Sequence, residues 1–366
     1  MARAVHGPLS SPAPKPLRLA IVKLDLLGDF VLALSAIRLL LAHYGEEQCL
    51  LVISPAAEPL AQREFPRTSR LLLPASQGHW RALRAAVKFR RQLGSFEFEK
   101  LICLRHQRWD YDELVLSWMR ANEYLRLETG FTELSRPEFR TFWLDAPGAQ
   151  VWSNEGVTSE GRLCRELARH GALVMAATGS RPNEEEMLPV LSASAKVDEA
   201  VVVTPLGSKP IRDFPMTLLI AALKEVRRSS SLPVVLIGSA SQKSRLEQLR
   251  RELAAQEIGN IRVWANLPFE DYLNLLASAS LVLTVETATA HLATALDRNT
   301  IVLMGGGHYG EFGPWRRSAR QVWLTERMDC FGCDWQCIHP APYCLTQVSA
   351  DLLVDAVACR LKNRGT

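Results

Sequence analysis

The stretch RLAIVKLDLLGDFVLALSAIRLLLAHYG, residues 18–45, decides the fold of this chain. Residues 18–24 form a short apolar run of strand length, and residues 30–45 have the length of a helix that is closed by a glycine cap. The loop DLLGD, residues 25–29, joins them. A strand, a short loop and a helix in this order predict the first unit of a parallel α/β sheet.

The alternation of strands and helices continues along the chain and restarts after a break. Residues 179–199 lose their apolar periodicity and gain proline, serine and charge, which predicts a linker or a long surface loop at the domain boundary. Strands are predicted at 50–53, 70–73 and 100–104 before the linker, and at 200–204, 233–237, 261–264, 280–284 and 299–304 after it. Helices are predicted after the linker at 215–228, 241–255, 269–278, 288–297 and 349–363. We therefore predict two Rossmann-like, doubly wound α/β domains: a disordered tail 1–17, an N-terminal domain 18–185, a C-terminal domain 186–348 and a last helix 349–366.

Length and composition narrow the function classes. With 366 residues, 48% of them apolar, the chain is long enough for two cores, and a net charge of +4 is too small for a dedicated nucleic-acid binder. The apolar run at 30–42 is shorter than the about 20 residues that a membrane-spanning helix needs. The first 17 residues lack the apolar centre of a secretory signal. We expect a cytoplasmic protein without a nucleic-acid partner.

Two carboxylates lie in the first strand-to-helix loop, beside Gly28, which permits a tight backbone. Asp29 lies at or near the N-cap of the following helix, and capping is one interpretation of it. The other interpretation is a general base, because ligands of open α/β sheets bind at the carboxyl ends of the strands. Asp25 competes with Asp29 for that role.

Two later loops carry residues suited to a nucleotide diphosphate. In TPLGSKPIRDFP (204–215), small residues and two cations precede a helix, as anion sites require, although the cations could equally be solvated. In VETATAHLATAL (285–296), a carboxylate ends a strand and could accept both ribose hydroxyls, whereas the histidine could simply be a packing residue. The candidate donor-binding residues are Gly207, Ser208, Lys209, Arg212, Glu286, Thr287, Ala288 and His291.

The stretch GGGHYGEFGPW, residues 305–315, contains a literal G-x-G-x-x-G. It lies late in the chain and is followed by Gly313 and Pro314, which break helices, so a dinucleotide-binding fingerprint is excluded. We predict instead a flexible loop that closes over a ligand.

Half of the eight cysteines crowd into the cysteine segment, residues 330–344. A single C-x-x-C begins the segment, whereas strong zinc sites usually pair two such elements. A structural metal site, reducible disulfides and packed thiols are the three interpretations, of which packed thiols are favoured. The four residues are Cys330, Cys333, Cys337 and Cys344, with His339 among them.

A basic stripe recurs at helical spacing in the N-terminal half, formed by Arg81, Arg84, Lys88 and Arg91 beside Trp80, Leu83 and Val87. Such a stripe is typical of a solvated face. It would also suit a phosphorylated, lipid-linked saccharide at a membrane.

Taken together, these segments resemble the glycosyltransferase family that includes the lipopolysaccharide heptosyltransferases, over about residues 18–350. The resemblance depends on Gly28-Asp29, on Arg212 before Phe214-Pro215, on the element from Glu286 to His291, and on Gly313-Pro314, in this order.

The resemblance implies the GT-B architecture, in which two Rossmann-like domains face a central cleft. It further implies an inverting transfer of heptose or a related sugar from an ADP-heptose-like nucleotide sugar to a lipopolysaccharide core or another saccharide. No metal or cofactor is needed, and peripheral contact with the inner membrane is expected. In the family pattern Asp29 is the general base, Arg212 neutralises the leaving diphosphate, and Glu286, Thr287 and His291 contact the donor.

Three positions depart from the usual family pattern: Glu286 replaces Asp, Ala288 replaces Gly and Arg212 replaces Lys. These changes put ADP-heptose itself in question as the donor. A nucleotide-sugar epimerase or hydrolase, and a non-catalytic nucleotide-sugar binder, are the alternative functions.

Overall fold

The computed structural model describes residues 17–73, 79–94, 96–105, 115–127, 149–152 and 162–362. The chain divides into two compact units, an N-terminal unit of residues 1–158 with 166–187, and a C-terminal unit of residues 159–165 with 188–366. The change at 187/188 lies two residues from the boundary predicted after residue 185. The predicted tail lies outside the described residues, apart from its last residue.

The N-terminal unit contains a six-stranded, fully parallel sheet in the order β3-β2-β1-β4-β5-β6. Its strands are β1 (Leu19–Lys23), β2 (Cys49–Ile53), β3 (Ser69–Leu72), β4 (Glu97–Cys103), β5 (Arg120–Leu127) and β6 (Ala149–Trp152). Its helices are α1 (Leu27–Tyr44), α2 (Glu58–Glu64), α3 (His79–Leu93), α4 (Arg165–Thr178) and α5 (Glu184–Met187). Strands β2 and β3 lie on one side of β1, and β4, β5 and β6 lie on the other. The switch point, where ligands bind in such sheets, therefore lies between β1 and β4.

Helix α1 belongs to the core of this unit. Twelve of its residues are buried, among them Phe30, Leu34 and Ile37. By length and composition alone α1 could cross a membrane, but 61% of it is buried inside the fold, as in the core helix of an α/β protein.

The C-terminal unit repeats the architecture with the order β12-β11-β10-β7-β8-β9, again all parallel. Its strands are β7 (Ala200–Thr204), β8 (Val234–Gly238), β9 (Ile261–Ala265), β10 (Ala279–Val285), β11 (Thr300–Leu303) and β12 (Gln321–Leu324). Its helices are α6 (Met216–Ser229), α7 (Lys243–Ala255), α8 (Phe269–Ser278), α9 (Ala288–Ala295), α10 (Tyr343–Thr346) and α11 (Ala350–Lys362). The switch point lies between β7 and β10, and the prediction of two doubly wound α/β folds is confirmed.

Two predictions of local structure need correction. The segment 179–199 is not a plain linker, because it contains α5 and buries Leu188 and Leu191, whose N–H donates to the Ala295 carbonyl at 2.9 Å. Strands β5 and β6 were not predicted, and neither was β12, which pairs in parallel with β11. The four residues of β12 are too few to show a strand period of their own.

Candidate active site

The first loop of the N-terminal unit places Asp29 in a helical turn. Helix α1 begins at Leu27 with Leu26 at the N-cap position, so Asp29 is the third residue of the helix and not its cap. Asp29 therefore lies near the N-cap, and this position is compatible both with a structural role in the first turn and with a general base. A carboxylate in the first turn is still favoured by the helix dipole. Gly28 lies inside the same turn, so it does not serve a strained loop.

A buried lysine organises the end of β1. The Lys23 side chain is 1% exposed, and its Nζ lies 2.9 Å from Glu166 Oε1 and 3.1 Å from Asp25 Oδ2. It also donates to the Leu104 carbonyl at the end of β4, at 3.1 Å. Burial alone would lower the pKa of Lys23, but the charges of Asp25, Glu166 and Asp29 outweigh burial and hold the pKa above its ordinary value. Lys23 is therefore a fixed positive charge at the switch point.

The two candidate carboxylates differ in their partners. Asp25 Oδ1 accepts a hydrogen bond from Arg105 Nε at 2.7 Å, while its other oxygen faces Lys23. Asp29 is only partly buried, and its charge adds to the field that keeps Lys23 protonated. Asp25 thus belongs to the ion-pair cluster around Lys23.

In the C-terminal unit, the loop after β7 closes tightly on Arg212. The Gly207 N–H donates to Asp213 Oδ1 at 2.9 Å, and a Cβ added at Gly207 would lie 2.7 Å from the Cβ of Arg212. Arg212 Nη1 donates to Ser208 Oγ at 3.1 Å. Lys209 is exposed, and its ammonium forms no ion pair within the part of the chain that the structure describes. The structure thus brings Arg212, and not Lys209, into a polar cluster.

Glu286 follows β10 at the switch point and is the centre of that cluster. Its carboxylate is 6% exposed, and it accepts hydrogen bonds from Arg212 Nη2 at 3.0 Å and from His308 Nδ1 at 3.2 Å. Burial raises the pKa of Glu286, but the hydrogen bond and charge of His308 and the charge of Arg212 outweigh burial, so the pKa lies below its ordinary value. Glu286 is therefore a buried anion between two cations.

The helix that follows Glu286 contains the remaining predicted donor residues. Thr287 is the N-cap residue of α9, and Ala288 opens the helix, both partly exposed. His291 is 5% exposed, and its Nδ1 accepts a hydrogen bond from Trp315 Nε1 at 3.0 Å. Burial lowers the pKa of His291 to about 4, so its ring is neutral. These contacts agree with the packing interpretation of His291.

The glycine loop, residues 305–313, is not a free flap. A Cβ added at Gly305 would lie 2.2 Å from the Trp335 ring, and one at Gly306 would lie 2.3 Å from the Phe331 ring. The Gly306 carbonyl also accepts the Gly332 N–H at 2.8 Å. The cysteine segment therefore packs directly on the glycine loop, which corrects the prediction of a flexible loop.

The four clustered cysteines are free thiols. Burial raises the pKa of Cys344, the other three thiols raise it further, and a hydrogen bond from the Gly306 backbone opposes them. The four sulfur atoms thus lie close enough to interact. Within the described ranges, no three His, Cys, Asp or Glu side chains form a group that could hold a metal ion.

Part of the basic stripe can be located on α3. Arg84, Lys88 and Arg91 are exposed, whereas the side chain of Arg81 lies outside the described residues. Val87 is 41% exposed, so it does not belong to the buried face, which contains Phe89 instead.

Several polar residues of these clusters were missed in the sequence. Lys23 could have been found as the one cation of the apolar strand β1. His308 could have been found because it follows β11, at the same sheet edge as Glu286. Asp334 and Trp335 carried no signal, because their contacts join loops with no periodic pattern.

The comparisons with known proteins agree with this geometry. Residues 176–339 match the family model of glycosyltransferase family 9 (heptosyltransferase), while no curated protein matches. The solved E. coli heptosyltransferase WaaC with ADP is 17% identical, with a TM-score of 0.66 over 94% of this chain and 99% of that one. E. coli ADP-heptose lps heptosyltransferase II is 16% identical, with a TM-score of 0.65 over 94% and 98%.

A glycosyl transferase of family 9 from Veillonella parvula DSM 2008 is 15% identical, with a TM-score of 0.66 over 94% of this chain and 97% of that one. Identities this low establish a shared fold, and the predicted GT-B fold class is confirmed. The match over residues 176–339, a little under half of the chain, confirms the predicted resemblance to glycosyltransferase family 9 (heptosyltransferase) and supports a glycosyltransferase.

Proposed function

We propose that the protein is an inverting, metal-independent transferase that moves a heptose or a related sugar from an ADP-heptose-like donor to a saccharide hydroxyl. The observation that carries this proposal is the buried pair of Arg212 and Glu286 at the switch point of the C-terminal unit, inside the segment that matches the family model. The WaaC structure that contains ADP supports the choice of an adenosine diphosphate carrier. A lipopolysaccharide core is the first acceptor to test.

The chemistry needs a base for the acceptor and a positive field for the leaving group. Asp29 takes the proton of the acceptor hydroxyl, whose oxygen then bonds to the anomeric carbon of the donor. The bond from that carbon to the diphosphate oxygen breaks, and the nucleoside diphosphate leaves with the electron pair. Attack from the face opposite the leaving group inverts the configuration. Arg212 and the first N–H groups of α9 stabilise the charge that develops on the diphosphate.

The two units take different substrates in this proposal. The acceptor binds to the N-terminal unit, near Asp29, and the nucleotide sugar binds to the C-terminal unit. The exposed Arg84, Lys88 and Arg91 of α3 suit a phosphorylated, lipid-linked acceptor at the cytoplasmic face of the inner membrane.

The departures from the family pattern bear on the donor sugar. Glu286 is one methylene longer than Asp, and Ala288 adds a methyl group where the family usually has Gly. Both side chains lie at the end of β10, and Glu286 is already engaged by Arg212. Related sugars therefore belong in the donor panel beside ADP-heptose.

Product analysis with purified protein tests the proposal. ADP-heptose with a core saccharide acceptor is expected to give ADP and a product whose anomeric configuration is opposite to that of the donor. The rate is expected to be the same with Mg²⁺ or with EDTA. Equal consumption of donor without any acceptor would favour an epimerase or hydrolase instead.

Thermal unfolding in the presence of ADP, UDP or GDP identifies the carrier. A ligand at about 100 times its Kd stabilises the native state by about 2.7 kcal/mol. ADP is expected to raise the Tm most. A Tm that responds to none of the three would contradict nucleotide binding altogether.

A further inference from the structure

The cysteine segment reaches the cluster around Glu286. Its backbone is attached to the glycine loop, since the Asp334 N–H donates to the Gly307 carbonyl at 3.2 Å. Asp334 and Trp335 both adopt left-handed backbone conformations, with φ of 46° and 63°. This sharp turn directs one carboxylate and one indole toward side chains that lie far away in sequence.

His308 lies between two carboxylates. Its Nδ1 is 3.2 Å from Glu286 Oε1, and its Nε2 is 3.1 Å from Asp334 Oδ1. Each ring nitrogen thus faces a hydrogen-bond acceptor, and only the doubly protonated imidazolium can donate to both. The charged groups that face His308 are these two carboxylates and Arg212, whose Nη2 lies 3.5 Å from Nδ1.

The protonation state of His308 follows from these neighbours. Burial lowers the pKa of His308, and the positive charge of Arg212 lowers it as well. The hydrogen bond and charge of Glu286, with the hydrogen bond of Asp334, outweigh both and raise the pKa above its ordinary value. Removing either carboxylate is expected to lower it.

Trp335 supports the other cation of the cluster. The guanidinium carbon of Arg212 lies 5.1 Å from the centre of the indole ring, and His308 meets the same ring edge-on at 5.9 Å. A guanidinium on an aromatic face is held in orientation as well as attracted. Arg212 Nε is buried and has no hydrogen-bond partner among the described residues.

We infer that the cysteine segment is part of the donor site: Asp334 holds the proton on His308, and Trp335 holds Arg212, so that two positive charges face the diphosphate of a nucleotide sugar. This inference depends on the proposed function for the location of the donor. Asp334 and Trp335 are positioning residues, because they act through His308 and Arg212. The ligand class is a nucleoside diphosphate. The affinity for a nucleoside monophosphate is expected to depend less on these residues.

Titration calorimetry with ADP and AMP between pH 5.5 and 8.5 tests the inference. In the Asp334→Asn variant, the pH at which ADP affinity begins to fall is expected to move down, because His308 loses an acceptor that favours its protonated form. The shift is limited because the Asp334 side chain is 59% exposed. The difference in ADP affinity between the two proteins should shrink as the pH falls, because low pH protonates His308 in both. Trp335→Leu is expected to weaken ADP binding by about tenfold at every pH, and Trp335→Phe by less, because it retains an aromatic face.

Asp355→Asn is the matched control, since Asp355 is an exposed carboxylate on α11 of the same unit. Its pH profile should equal that of the unmodified protein. An Asp334→Asn profile parallel to the unmodified one would overturn the inference and leave the proposed function intact. Absence of ADP binding by the unmodified protein would instead contradict the proposed function. Thermal unfolding of each variant separates a loss of affinity from a loss of fold.

Discussion

Nη2 of Arg212 lies 3.0 Å from Oε2 of Glu286, although the two residues are 74 positions apart in the sequence. The pair joins the loop after β7 to the end of β10, across the switch point of the C-terminal sheet. Because the carboxylate is 6% exposed, neither charge can be removed without leaving the other poorly compensated. The cation assigned to the leaving diphosphate thus depends on a carboxylate that also stabilises the unit.

Glu286→Gln is expected to lower the free energy of unfolding by about 2 kcal/mol at pH 7, less than for a fully buried pair because Arg212 is partly exposed. The folded pKa of Glu286 lies below its ordinary value of 4.5, so its contribution is complete above pH 4.5 and is lost as the pH falls through the folded pKa. The difference between variant and unmodified protein should therefore shrink under acid. Urea unfolding at pH 7 and pH 3 measures it.

Glu247→Gln is the control for this experiment, because Glu247 pairs with Arg250 on the surface of α7. Exposed pairs of this kind contribute less than about 1 kcal/mol. Equal losses from the two variants would contradict a special role for the Arg212 pair.

Asp29→Asn is expected to lower kcat by about a hundredfold or more, the range for a general base, with ADP affinity unchanged. Asp25→Asn should instead destabilise the fold by about 1 to 3 kcal/mol, because Lys23 and Arg105 lose a buried partner. Steady-state kinetics and urea unfolding of both variants separate the two roles. A large kcat loss for Asp25→Asn in a protein of normal stability would reverse the assignment.

The sequence predicted the parts of this architecture that have a period. The alternation of strands and helices predicted nine of the twelve strands that the structure describes, and the polar residues singled out after β1, β7 and β10 lie at the carboxyl ends of those strands. Partners were harder to predict, because Lys23 meets Glu166 across 143 positions, and His308 meets Asp334 between two irregular loops. Such pairings depend on backbone turns that no spacing rule encodes. For the same reason the contacts between the glycine loop and the cysteine segment were not predicted, and the glycines alone indicated a flexible loop.

Lys23→Met is expected to lower the free energy of unfolding by about 3 to 5 kcal/mol, because it leaves Glu166 buried without its main cation. The double variant Lys23→Met with Glu166→Leu should recover part of this loss, since it removes the uncompensated charge. Lys100→Met is the comparison, because its partner Glu123 is 44% exposed and the expected loss is about 1 kcal/mol or less. A double variant whose loss, relative to the unmodified protein, equals the sum of the losses from Lys23→Met and Glu166→Leu alone would rule out a coupled pair.

Gly306→Ala tests the packing of the cysteine segment on the glycine loop. The added methyl carbon would lie 2.3 Å from the Phe331 ring, so the ring must move, and the expected loss of unfolding free energy is about 1 to 3 kcal/mol. Gly259→Ala is the matched control, because no atom lies within 4 Å of its added Cβ, and its stability should hardly change. Phe331→Leu in the Gly306→Ala background should restore part of the loss by freeing space for the methyl group. Since a displaced segment would also withdraw Asp334 from His308, the Gly306→Ala variant should lose more ADP affinity between pH 5.5 and pH 8 than the unmodified protein does. A Gly306→Ala protein with unmodified stability and ADP affinity would show that the segment does not press on the loop.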